Sequence, residues 1–328
     1  MQSAPVFFSC ENCAFPAENL CKLYSYRIQM IYLPPSLPCI RSLRDERHAV
    51  SEENPPRSAL RILLLNLMPQ KTVTEYDIAR AVSHSGLHVA LYPVKISGQT
   101  YKTTPVAHME RFYSDFETCD DGFYDGLVVT GAPVEQLAFE EVRYWRQLQR
   151  IMDWAVTHVR STLYICWGAQ AALYHRYGIS KQLLPAKKFG VFAQTVHVNH
   201  PLTEGLFPSF PMPVSRHTAL AFSDKNLAQT ALPDDLILVA SGEESGAGIL
   251  LSGGGREVYV TGHLEYAGDT LHKEYERDCS KGLPISAPAH YYDASGRIVD
   301  SWREACRTFY RNWLTACVSP GGDSPRSV

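Results

Sequence analysis

A doubly wound α/β fold with a mostly parallel sheet is what this 328-residue sequence predicts, and three observations carry that expectation. Short apolar runs alternate with segments of helical periodicity between residues 61 and 177. The first such unit, a run at 61–66, a helix closed by Gly86 and a run at 87–94, reads β-α-β, and that connection implies parallel pairing. Third, the β-rich run 162–165 turns directly into a helix stopped by Gly178, which leaves Cys166 on the corner between strand and helix.

Each element has its own signal. Residues 61–66 (Arg-Ile-Leu-Leu-Leu-Asn) form the first strong buried strand. Residues 68–74 read as a loop, and Thr74 with Asp77 can begin a helix over 75–85. Residues 106–116 carry helical spacing, and 124–130 is a buried strand that runs into Gly131-Ala-Pro133. A long amphipathic helix is predicted over 139–159, with Tyr144, Trp145, Leu148 and Trp154 on its apolar side. The elbow strand 162–165 follows, then a turn at Trp167-Gly168 and a helix over 170–177. Beyond Gly178, residues 187–248 read as short strands and turns punctuated by Pro201, Pro208, Pro211 and Pro213. Residues 257–265 form a strand entering a loop, 270–279 a helix, and 302–314 a closing amphipathic helix.

The organisation expected is one α/β domain over 59–317, long enough for a sizeable core. Before it lie an extension or mis-assigned start at 1–29 and a Pro-rich, then charged, arm at 30–58. After it, 318–328 is a Gly/Pro/Ser-rich tail expected to be disordered. With a net charge of -3, nothing points to nucleic acid or to an acidic membrane surface, and no apolar run approaches the length of a membrane span. Nine cysteines, odd in number and without framework spacing, suit the reduced thiols of a cytoplasm. Cys10-Glu-Asn-Cys13 lacks the second pair that a zinc site needs, so no metal is expected.

The corner at Cys166 would push its thiol into a cleft at the sheet's C-terminal edge, facing the free N–H groups of the next helix, which favour a thiolate. Cysteine is also a common core residue, so the corner alone leaves a reactive and a structural role open. His263 and Glu265 supply what a nucleophile needs, a base and a group to orient that base. In an extended segment, residues two apart point to one side, which would bring both toward Cys166. The N–H groups of Gly131 and Ala132, with that of Trp167, can receive an oxyanion, although a glycine there also serves a tight turn.

Five stretches occur in order: Asn66-Leu-Met-Pro69, Val129-Thr-Gly-Ala-Pro133, Cys166-Trp-Gly-Ala-Gln170, Lys187-Lys-Phe-Gly-Val-Phe192 and Gly262-His-Leu-Glu-Tyr266. Together they make residues 30–317 resemble the homoserine O-acyltransferases of the transsuccinylase type. The resemblance implies a class I glutamine-amidotransferase-like (flavodoxin-like) fold and an acyl-cysteine, ping-pong transfer from acyl-CoA to L-homoserine for methionine biosynthesis. It implies no cofactor or metal, and a homodimer. By the same resemblance Cys166 is the nucleophile, His263 the base and Glu265 its partner. Arg277 would hold the homoserine carboxylate with Glu274 nearby, and Lys187 and Ser215 fall at pocket positions. A guanidinium suits a carboxylate, and a salt-bridged helix arginine is the plain alternative.

The residue two after Gly-Ala-Pro, a glycine in succinyl enzymes of the family and a glutamate in acetyl enzymes, is Glu135 here. Its carboxylate would fill space and repel a succinyl carboxylate, which selects acetyl-CoA. The alternatives are a succinyl donor, a serine acceptor one methylene shorter, and a glutamine amidotransferase-type hydrolase, whose elbow Cys166-x-Gly168-x-Gln170 would also suit. A binding relative without catalysis would be expected to lack the nucleophile or the base. No synthetase domain accompanies the elbow, which argues against the amidotransferase.

Overall fold

Residues 30–119, 122–222 and 232–319 are described by a computed structural model. Their strands are β1 (Ile31–Tyr32), β2 (Val50–Ser51), β3 (Leu60–Leu65), β4 (Val89–Lys95), β5 (Ser114–Asp115) and β6 (Tyr124–Val129). There follow β7 (Val159–Ile165), β8 (Lys181–Val196), β9 (Ser209–Leu220), β10 (Leu236–Gly242), β11 (Gly246–Ser252) and β12 (Glu257–Val260). All belong to one sheet of order β2-β1-β4-β3-β6-β7-β12-β11-β10-β8-β9, with β5 beside β4. Every pairing from β2 across to β12 is parallel, and every pairing from β12 to β9 is antiparallel.

The helices are α1 (Cys39–Asp45), α2 (Lys71–Ser83), α3 (Val106–Phe112), α4 (Trp145–His158), α5 (Trp167–Tyr177), α6 (Thr270–Ser280) and α7 (Arg303–Asn312). They cover both faces of the parallel part, as an apolar strand such as β3 demands. Alternate residues of β3 point to opposite faces. Ile62 and Leu64 pack in one cluster with Ile78 and Val82 of α2 and Phe309 of α7, while Leu63 and Leu65 join Trp145, Leu148 and Met152 of α4 and Leu173 of α5. Each such side chain, removed from water, contributes about 1.5–3 kcal/mol. The expected doubly wound architecture is therefore the observed one, extended by an antiparallel wing.

Several boundaries differ from expectation. α2 begins at Lys71, a turn before the expected start at Glu75. The segment 139–159 is not one helix: a 3₁₀ turn at Phe139–Glu141 precedes α4, and Val159 already belongs to β7. Trp145 and Leu148 are buried as expected, whereas Tyr144 and Trp154 are only partly so. The segment 187–248 contains most of a long hairpin, β8–β9, not a set of short strands. Pro211 and Pro213 lie inside β9, the last strand of the sheet, where a missing N–H on the open edge does no harm.

The stretch 30–58 is more than an arm. β1 and β2 extend the sheet beyond β4, and Leu33, Leu37, Ile40 and Leu43 are buried in its core. At the other end α7 runs into a π-helical turn, Trp313–Val318, whose Trp313 and Val318 are fully buried. The extension 1–29, with Cys10 and Cys13, and the tail from 320 onward lie outside the described residues. Among the described residues no helix is long and apolar enough to cross a membrane, and six cysteines are free thiols.

Candidate active site

The site lies past the C-terminal ends of β6, β7 and β12, three neighbouring parallel strands, where an open α/β sheet forms its ligand crevice. Cys166 follows β7 directly. Its N–H donates to Val260 O at 2.7 Å, which ties the corner to the end of β12. Its backbone sits at φ 53, ψ -116, a region that costs a non-glycine residue about 1–3 kcal/mol. The strand on one side and α5 on the other hold it there.

Trp167-Gly168 is not a separate turn: α5 begins at Trp167, and Cys166 itself is its cap. Gly168 makes this early start possible. A Cβ there would stand 2.7 Å from Thr130 O and 2.9 Å from Val129 O, so only glycine lets the helix press on the end of β6. Both obstacles are backbone atoms. Gly168→Ala is expected to destabilise the fold by about 1–3 kcal/mol, read as a lower thermal midpoint. An unchanged midpoint would show that the contact yields.

His263 is on a loop and not on a strand, because β12 ends at Val260. Its N–H donates to Pro213 O at 2.8 Å, which hangs the loop on β9. A tight turn, closed by Tyr266 N–H to His263 O at 3.3 Å, then brings Glu265 back. His263 Nδ1 lies 2.7 Å from Glu265 Oε1, so the expected pair forms, by a turn in place of strand alternation. Both residues are buried, and the imidazole stacks on the Tyr266 ring at 4.1 Å. Burial pulls the His263 pKa down. The adjacent Cys166 and the Glu265 carboxylate, each through charge and a hydrogen bond, outweigh burial and hold it well above the ordinary imidazole value. Cys166, His263 and Glu265 thus form one connected row.

Asp77, expected with Thr74 to begin the helix but placed inside it, and Arg80, which carries no signal in the sequence, grip the loop from α2. Arg80 Nη2 donates to Glu265 O at 2.7 Å and Tyr266 O at 3.0 Å, and Asp77 Oδ1 accepts from Ala267 N–H at 3.2 Å. Burial pushes Asp77 up to about 8, opposed by Arg80 and reinforced by Glu265. The pair is spaced three apart on one helical face, which in sequence is indistinguishable from a solvated pair.

Gly131 lies against the thiol, since a Cβ on it would stand 3.8 Å from Cys166 Sγ and 3.7 Å from Met68 Sδ. Among the described residues nothing accepts the N–H of Gly131, Ala132 or Trp167, as an oxyanion site requires. Asn66 shapes the facing loop. Its Oδ1 accepts from Met68 N–H at 3.1 Å, and its Nδ2 donates to Tyr113 Oη at 3.0 Å and Lys71 O at 3.2 Å.

The four expected pocket residues converge, with a difference of emphasis. Glu274 is the hub: its carboxylate accepts from Ser215 Oγ at 2.6 Å, Tyr266 Oη at 2.9 Å and Lys187 Nζ at 3.3 Å. Lys187 also reaches Asp278 at 3.1 Å, so its charge is already matched. Arg277 gives Nε to Asp278 at 2.8 Å, while 44% of its side chain stays exposed. Tyr266 and Asp278 are further members that sequence reading passed over.

Glu135 is fixed at the other side of the elbow helix. Its Oε2 accepts from His217 N–H at 2.9 Å and Thr218 Oγ1 at 3.3 Å, and the same hydroxyl reaches Gln170 Oε1 at 2.9 Å on α5. Through Thr218 the carboxylate is linked to Gln170, which lies one helical turn after Cys166 on α5.

Fold and site together define an α/β protein of glutamine-amidotransferase-like architecture with a cysteine on its elbow. A glutamine amidotransferase from Thermotoga maritima superposes with a TM-score of 0.54 at 12% identity, covering 79% of this chain and 98% of that one, a likeness of fold alone. The chain belongs to the homoserine O-succinyltransferase family, whose profile matches residues 30–321. Among its relatives, the homoserine O-acetyltransferase of Parabacteroides distasonis is 45% identical over 295 residues, 87% of this chain and 93% of that protein. That of Streptococcus thermophilus is 42% identical over 297 residues, covering 88% and 93%.

Proposed function

We propose that the protein is a homoserine O-acetyltransferase that passes an acetyl group from acetyl-CoA through Cys166 to the γ-hydroxyl of L-homoserine. The Cys166–His263–Glu265 row is the observation that supports it most. Cys166 sulfur attacks the thioester carbonyl as His263 holds the thiol proton, and the N–H groups of Gly131, Ala132 and Trp167 receive the oxyanion. The carbonyl re-forms, the C–S bond to CoA breaks, and His263 returns the proton to the departing thiolate. Homoserine then enters. Its hydroxyl gives its proton to His263 and attacks the acyl-cysteine, and O-acetyl-L-homoserine leaves as Cys166 recovers the proton. Ping-pong kinetics follow.

Arg277 keeps guanidinium N–H groups for the homoserine carboxylate after Nε is bound to Asp278. Lys187 and Ser215 act through Glu274, which they orient. The free thiols among the described residues favour a reducing, cytoplasmic setting.

Glu135 supports acetyl over succinyl, because its anchored carboxylate would repel a second carboxylate in the acyl pocket. Glu135→Gly is expected to lower the ratio of kcat/KM for acetyl-CoA over succinyl-CoA by about tenfold or more. A wild-type enzyme that already prefers succinyl-CoA would sink the acetyl reading. Glutamine hydrolysis without acyl transfer would favour the amidotransferase alternative.

A further inference from the structure

A cleft of about 1260 Å³ opens beside the site. Its inner wall includes Met68, Tyr266, Glu274 and Arg277, and it runs outward between α1, α2 and α7. Homoserine and an acetyl group together are far smaller than this space, which exceeds even a typical small-molecule pocket of roughly 300–1,000 Å³. The outer end is basic. Arg47, His48, Arg80, His84, Arg303 and Arg307 line it, drawn from three separate helical segments.

Four arginines outnumber the three carboxyls of this end, Glu46, Asp77 and Asp300, so its balance is positive. Burial first, and then the positive charges of His48, Arg307, Arg80 and Arg303, push His84 down to about 4. Arg80 is more than nine-tenths buried, yet its Nε has no partner among the described residues, and neither does the buried Nε of Arg307. Arg47 is held at φ 67, a backbone conformation that a glycine would adopt more cheaply, and no ion pair engages it among the described residues. Arg307 pairs with Glu304 at 2.6 Å in an exposed contact that a stronger anion displaces at little cost, while Arg303 holds the mostly buried Asp300 at 2.6 Å with 55% of its own side chain exposed. Asp77, a buried carboxyl of the same wall, is pushed up to about 8 by burial, against the opposing charge of Arg80.

We propose that the outer end of this cleft binds the phosphate groups of the acyl-CoA donor, with Arg47, Arg303 and Arg307 as the contacts; this rests on the acyl-CoA reading above. Arginine suits phosphate oxygens because its fork of N–H groups matches them in pairs. The thioester, at the other end of the donor's pantetheine arm, then reaches the wall formed by Met68 and Tyr266. Met68 adjoins Gly131 and Tyr266 stacks on His263, so that wall borders the acylation site.

The test compares acetyl-CoA with S-acetylpantetheine, which carries the same thioester and no phosphate. In Arg47→Gln/Arg307→Gln, KM for acetyl-CoA should rise by about tenfold or more while kcat/KM for S-acetylpantetheine stays within about twofold. In the wild-type enzyme, adenosine 3′,5′-bisphosphate should compete with acetyl-CoA, a result that does not depend on any variant folding. Unchanged acetyl-CoA kinetics in the variant, or no competition by the bisphosphate, would overturn the phosphate site while leaving the acyltransferase reading intact. A wild-type enzyme that accepts acyl groups from neither thioester would overturn both.

Discussion

Cys166→Ala is expected to lower kcat for acyl transfer by on the order of 10³-fold or more while leaving the fold intact. The nucleophile is the one group in the row that forms a bond to the acyl carbon. Its neighbours, the His263 imidazole and the Gly131 backbone, are the base and an oxyanion donor in the proposed mechanism, not substitutes for the sulfur. The strained backbone adds a second, opposite expectation. At φ 53, ψ -116 a glycine is not penalised, so Cys166→Gly should be inactive and yet more stable, by roughly 1 kcal/mol or more. Steady-state kinetics and thermal melting on the two variants read both effects. A fully active Cys166→Ala would remove the cysteine from the mechanism.

Glu265→Gln carries the second large effect, about 10²-fold or more in kcat. The carboxylate accepts from His263 Nδ1 and fixes the tautomer that leaves Nε2 for the thiol and the substrate hydroxyl. Glu265 raises the His263 pKa, so removing its charge lowers that pKa. The alkaline limb of the rate profile, where His263 loses the proton it must give to departing CoA, should then move to lower pH. The same pairing adds stability that is fully present below the ordinary histidine value of 6.5 and is lost as pH rises through the raised folded value. In Glu265→Gln this loss of stability should be absent or begin at lower pH. An unshifted limb would mean that Glu265 does not set the imidazole.

Much of this was legible in sequence because it is local. Strand, corner and helix around Cys166 follow from a short β-rich run, a glycine and a stop at Gly178, whose φ of 67 closes α5 as a glycine can. The His263–Glu265 pair was legible as residues but not as geometry. The expected strand ends at Val260, and a turn on the Pro213 carbonyl makes the contact instead. Asp77 was legible only as a helix-start residue and Arg80 not at all, because the carbonyls and N–H they hold lie about 190 residues further along, brought near only by the crossover of the sheet. Glu274, Lys187 and Ser215 were named through the family resemblance, but their mutual contacts were not legible, as Ser215 on β9 and Lys187 on β8 meet α6 only when the hairpin folds over. The prolines that suggested short strands are tolerated because β9 is an edge, and an edge is a property of the sheet and not of the segment.

The most direct test of the central claim is the intact mass of the protein after brief mixing with acetyl-CoA. An adduct of one acetyl group that is absent in Cys166→Ala and disappears on adding L-homoserine is the predicted result. No adduct, with acyl transfer still proceeding, would contradict an acyl-cysteine intermediate.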